Sequence, residues 1–174
     1  MGAAGILFGT PKRKVFVSFQ HRGDRAYYDL FTQIFHDYYQ VVYDNSLERQ
    51  IDSDNVDYVM RAIRENFITG SSCTIVLVGQ NTWGRKFVDW EIDATLQKWH
   101  GLVGIQLPTL VPNVSGKVVV PNRLHENIAS GYAVWIAWNY IASNPTHLAK
   151  LIEQANGNSK DLIRNSAERR LRNA

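Results

Sequence analysis

Short apolar runs alternate along this chain with segments whose apolar residues recur every three or four positions. KVFVSF (14–19), rich in β-branched and aromatic residues, predicts a strand buried on both faces. Asp24 is a candidate helix N-cap, and Tyr27, Leu30, Phe31, Ile34, Phe35 and Tyr38 follow at helical spacing. VVYD (41–44) predicts a second strand. The polar stretch NSLERQIDSDN then leads into a helix with Val56, Val59, Met60, Ile63 and Phe67 on its inner face, which Gly70 is suited to end. SCTIVLVG (72–79) is the strongest strand signal, and LVGIQL (102–107) and YAVWIAW (132–138) predict two more. Residues 108–127 carry Pro108, Pro112, Gly116 and Pro121 and predict a long surface excursion with a small strand at KVVV. Leu148, Leu151, Ile152 and Ala155 mark a later helix, and a basic helix is expected over roughly 159–172.

Buried strands alternating with amphipathic helices predict an α/β fold, an open parallel sheet of about five strands with helices on both faces, plus the C-terminal helix. The length of 174 residues suits one domain. The expected division is a flexible N-terminal segment (1–13), the α/β domain (14–158) and the basic helix (159–174). In such sheets ligands bind outside the carboxyl ends of the strands, here the loops SFQHRGD, YDNSLERQIDSDN and GQNTW.

The segment RKFVDWEIDATLQKW (85–99) holds the most informative acid. At about 100° per residue, Val88, Ile92, Thr95, Leu96 and Trp99 share one face. Glu91 lies on the shoulder of that stripe beside Phe87, two turns into the helix and close to the strand-end rim. Most helix glutamates are simply solvated.

Charge and cysteine usage narrow the options. The net charge is +3, but residues 159–174 hold five basic and two acidic side chains, which leaves 14 of each in the rest. A neutral body with a basic tail does not resemble a nucleic-acid-binding face. The single Cys73 sits in an apolar run, so it forms no internal disulfide and is expected in the core of a protein of the reducing cytoplasm. MGAAGILFGTPKRK lacks the basic start and apolar length of a signal peptide. Ile6 stands where a myristoylation motif wants Ser or Thr, and no run approaches a membrane span.

The sequence contains neither GxxxxGK[ST] nor, after the first strand, GxGxxG, which argues against a P-loop nucleotidase and a standard dinucleotide fold. Ser18, Phe19 and Gln20 stand where a phosphoacceptor receiver has paired acids. The five histidines show no metal-ligand spacing, so no metal is expected.

Together, VFVSF, YDNSL, CTIVLVG with GQNTW, and the helix RKFVDWEI resemble a TIR domain, in particular the TIR-like branch of bacterial Thoeris antiphage defence. The resemblance runs in order over about residues 14–107. It implies a flavodoxin-like domain that cleaves NAD+, as substrate and without a separate cofactor, between nicotinamide and ribose. The ADP-ribose product is released, cyclised or conjugated, and it activates a separate effector protein. The catalytic glutamate of the family falls on Glu91. The chemistry is compatible, because nicotinamide leaves a cationic pyridinium as a neutral molecule and needs no general acid, so one carboxylate can suffice.

The same resemblance suggests further substrate contacts. Phe19 and Trp83 are candidates to stack on a flat ring, with Phe87 and Trp83 desolvating Glu91. Ser18, Gln80 and Asn81 are candidates to hydrogen-bond the amide or ribose, His21 with Arg22 to meet the pyrophosphate, and Gln20 is a further candidate substrate contact. Asp44 can orient Ser46 or cap its loop. Each also has an ordinary structural role open to it, as core aromatic or loop-backbone partner. The alternative function is a non-enzymatic TIR-like interaction or assembly module acting through self-association. An FMN binder would need a Ser, Thr and Gly cluster that SFQHRGDR does not offer.

Overall fold

The computed structural model of the protein describes residues 12–41 and 53–174. Strands β1 (Lys14–Ser18), β2 (Gln40–Val41), β3 (Cys73–Val78), β4 (Gly101–Gln106) and β5 (Val134–Ala137) form one parallel sheet in the order β2-β1-β3-β4-β5. The chain turns from one side of β1 to the other between β2 and β3. The β1/β3 boundary is therefore the switch point at which open α/β sheets form their crevice.

Helices α1 (His21–Phe35), α5 (Trp138–Ser143) and α6 (His147–Gly157) cover one face, where Phe31, Phe35, Tyr39 and Trp138 pack on Val17, Ile75 and Ile105. On the other face lie α2 (Val56–Ala62), which runs on as a π-helix over Ile63–Ile68, α3 (Lys86–Gln97) and α4 (Asn122–Ala129). Two clusters form there, one of Phe16, Met60, Ile63, Phe67 and Trp90, the other of Val76, Leu102, Ile92, Leu96 and Leu124. The period-2 alternation of strands explains the split: Val15 and Val17 point to the α1 side, and Phe16 and Ser18 to the α3 side.

Several elements differ from expectation. The second strand reaches only Val41 within the described residues, and the rest of VVYD, the stretch 1–11 of the N-terminal segment and the loop 42–52 lie outside them. Gln20 rather than Asp24 caps α1, accepting from the Gly23 amide at 2.7 Å. The proline-bearing excursion contains α4, and KVVV is not a strand. Trp138 begins α5 instead of ending β5. Trp99 is not on the buried face of α3; it is 69% exposed, past the helix end, with φ of 58°. Gly70, also at positive φ (96°), follows the π-helix as its spacing suggested.

The largest departure is the C-terminal helix. Only a 3-10 turn at Lys160–Leu162 forms, and residues 163–174 run without regular structure as a strap across α4 and α3. The reason lies in where the backbone groups bond. The Arg164 carbonyl accepts from Asn127, that of Ala167 from Arg123 and that of Arg170 from the Trp90 indole, while the Arg170 amide donates to Asp89. A helix would take those groups for itself.

Candidate functional site

Helix α3 is buried from Val88 to Leu96 without a break. The sheet lies beneath it, the α2 and π-helix segment on one flank, α4 on the other and the strap above. Glu91 emerges between Trp90 and Ala94, which pack toward Phe16 and the π-helix, and Val88 and Ile92, which pack toward Val76 and α4. Its side chain therefore faces the sheet. Glu91 is 5% exposed, and the Ser18 hydroxyl at the end of β1 donates to its Oε2 at 2.5 Å. One turn further on, Thr95 donates to the Glu91 carbonyl at 2.7 Å and meets Thr74 of β3 at 2.6 Å, which pins α3 to the sheet.

On α1, which covers the other face of the sheet, a second buried acid holds the loop after β3. Asp24 Oδ2 accepts from Thr82 Oγ1 at 3.0 Å, and Thr82 Oγ1 accepts from the Gly79 amide at 2.9 Å. A Cβ on Gly79 would collide with Asp24 Oδ1, so only glycine lets the β3 loop come this close. Burial pushes the Asp24 carboxyl above its ordinary value, and the bonds from Thr82 and Gly79 pull it part of the way back.

The other anticipated residues divide. Phe19 is buried, stacked on Tyr28 at 4.4 Å and on His21 at 5.5 Å, and belongs to the core rather than to an open stacking surface. Gln20 is buried as the cap of α1. Gln80 is exposed and accepts from the Val111 amide at 3.2 Å, and Asn81 is exposed with its carbonyl near Arg85. Trp83 is partly exposed at the rim, and Phe87 turns its edge to Trp90, 5.6 Å away. Ser18 and Glu91 are thus brought into contact, Gln80 and Trp83 share one depression, and Phe19 and Gln20 serve the fold. Asp44 and Ser46 lie outside the described residues. Among the described residues no cluster of three or more His, Cys, Asp or Glu side chains is arranged to hold a metal ion, and no helix is long and apolar enough to cross a membrane.

The polar network over α3 was not anticipated. Arg123, 1% exposed, donates to Asp89 at 2.9 Å, to Asn165 at 2.5 Å and to the Ala167 carbonyl at 3.0 Å. Asp93 accepts from Asn165 at 2.8 Å and from Arg169 at 2.7 Å, and Arg169 also reaches Asp57 of α2 at 4.0 Å. Burial raises the Asp93 carboxyl, but the bonds from Gln97, Asn165 and Arg169 and the charge of Arg123 outweigh it and hold the group below its ordinary value. The signal available was charge complementarity: Asp89 and Asp93, one turn apart on α3, against the five cations after residue 158.

A parallel sheet in this order with helices on both faces is a flavodoxin-like α/β domain, and Glu91 lies buried on the helix after its third strand. The family model described as "Thoeris protein ThsB, TIR-like domain" matches residues 16–111, more than half of the chain, and the chain belongs to that family. Its place is therefore among the TIR-like domains of Thoeris defence. Among solved structures, it is similar to the TIR domains of the activated Roq1 resistosome directly recognizing the pathogen effector XopQ, at 14% identity and a TM-score of 0.40, over 83% of this chain and 80% of that one. No curated protein matches the chain in sequence.

Proposed function

We propose that this domain cleaves NAD+ at the bond between nicotinamide and ribose, with Glu91 as the essential carboxylate, and that the ADP-ribose-derived product, cyclic or conjugated, activates a separate effector in antiphage defence. The observation that carries this reading is the buried Glu91 carboxylate, oriented by Ser18 beside the switch point. As the C1′–nitrogen bond breaks, its electron pair returns to the pyridinium nitrogen and neutral nicotinamide departs. Positive charge develops on the ribose, and a fixed carboxylate in a water-poor site stabilises it. An acceptor, either an oxygen or a ring nitrogen, then bonds to C1′ and its proton passes to Glu91. Water as acceptor gives ADP-ribose, and a hydroxyl or base gives a cyclic or conjugated product. Self-association of TIR-like domains fits the same reading if it completes the site.

The test is mass spectrometry of NAD+ and its derivatives in phage-infected cells expressing either the wild-type chain or Glu91→Gln. Glutamine keeps the size and can still accept from Ser18, so folding is expected to be retained. Removing the charge is expected to lower turnover by about a hundredfold or more, the scale of losing a transition-state contact. Equal nucleotide pools with protection intact in both would favour the non-enzymatic assembly module instead.

A further inference from the structure

Two depressions flank Trp83 at the rim. The first, of about 510 Å3, is apolar, walled by Leu110, Val111, Pro112 and Val119 with the Gln80 amide at its edge. Val111 and Val119 are 64% and 51% exposed, unusual for branched aliphatics with no covering element among the described residues. The second, of about 360 Å3, lies between the start of α4 and the strap and is cationic. Arg123, Arg169, Arg170 and Arg172 line it against Asp89 and Glu168.

The four arginines are not equivalent. Arg123 and Arg169 are committed to Asp89 and Asp93. Arg170 and Arg172 form no ion pair among the described residues. Arg170 holds the strap through its backbone alone, its amide on Asp89 and its carbonyl on Trp90. Its guanidinium lies over the Trp83 ring, 5.6 Å from the centroid, on the side of the cationic depression.

An apolar slot beside an exposed indole suits a flat ring, and arginine forks with no carboxylate suit a phosphate. One class of molecule joins the two. We infer that Trp83 is the centre of a nucleotide subsite, with the base in the apolar slot and the phosphate on Arg170 and Arg172. Trp83 stands in the 3-10 turn that leads into α3, the helix that carries Glu91. The inference deepens the NAD+ reading by giving the adenylate half a place. It is read out by binding, so the two can fail separately.

The experiment is titration calorimetry of the full chain with AMP and with ADP-ribose, using nicotinamide mononucleotide, which has a phosphate but no purine, as comparator. AMP and ADP-ribose should bind and the mononucleotide should bind more weakly. Trp83→Ala should weaken AMP by about tenfold, the scale of losing a base–aromatic stack. Arg170→Gln, which keeps the backbone bonds of the strap, should do likewise, and so should Val111→Asp from the opposite wall. Wild-type chain that binds neither nucleotide, or AMP affinity unchanged in all three variants, overturns the inference. If these variants raise KM for NAD+ but not for the mononucleotide, the subsite holds the distal half of the substrate. Unchanged KM beside lost AMP binding assigns it to a separate nucleotide. AMP bound through Trp83 by a chain that cleaves no NAD+ keeps the subsite and removes the enzymatic reading.

Discussion

The two faces of the sheet are built by different means. Under α1, α5 and α6 lies one continuous apolar cluster rich in aromatic rings. On the α3 side the apolar contacts split into two clusters, and between and above them are buried Glu91, Asp89, Asp93 and Arg123. Apolar contacts are non-directional and tolerate small adjustments, whereas a buried ion requires its partners in one geometry. The first face anchors the sheet, and the second fixes where α3, and with it Glu91, sits against β1.

The sharpest way to break this contrast is Arg123→Ala. It leaves Asp89 buried without its partner and strips the Ala167 carbonyl, and is expected to cost about 3–5 kcal/mol in urea unfolding. The pair Arg123→Met with Asp89→Leu should recover most of that loss. If the single change costs no more than a core truncation, the ionic face is not distinct. Phe31→Leu on the apolar face provides that reference, at about 1–1.5 kcal/mol, since the cluster can partly repack around a residue of similar volume.

The next effect is on pH dependence and has opposite signs at two acids. Asp93 titrates below its unfolded value in the fold. Its contribution is present above the unfolded pKa and fades as pH falls through the folded one. Asp24, pushed up by burial, contributes fully below the unfolded pKa, and that contribution is lost as pH rises through the folded one. Across roughly pH 3–6, around the ordinary carboxylate range, Asp93→Asn should therefore flatten the rise of stability with pH, and Asp24→Asn should steepen it. Parallel curves for the two variants would show that the acids do not differ. The smallest effect is expected beyond the end of α3, where Trp99→Gly should relieve positive-φ strain and raise stability by about 0.5–1 kcal/mol, measured by thermal melting.

These contrasts also explain what could be read in advance. β1, β3, β4, the inner faces of α1 and α2, and α6 follow from local apolar period, because each buries a stripe that its own residues announce. Glu91 was placed by family resemblance and its shoulder position. Its contact with Ser18 agrees with the alternation of β1. What stayed hidden depends on partners distant in sequence. Arg123 and Asn127 are one turn apart and look like a solvent face, yet both are buried because the strap supplies carbonyls and Asn165. Asp24 looks like a cap because nothing nearby in sequence reveals that Gly79 and Thr82 arrive over it. The tail reads as a basic helix until α3 offers its backbone better partners.

The bond from the Trp90 indole to the Arg170 carbonyl at 2.7 Å makes the position of the strap visible to light. Indole emission responds to hydrogen bonding and to water at its nitrogen, so detachment should shift the signal of Trp90 to longer wavelength without any label. Trp83, under the Arg170 guanidinium, would change in the same event. Difference spectra against Trp90→Phe would isolate the first contribution, and stopped-flow fluorescence would then time how long the strap stays down.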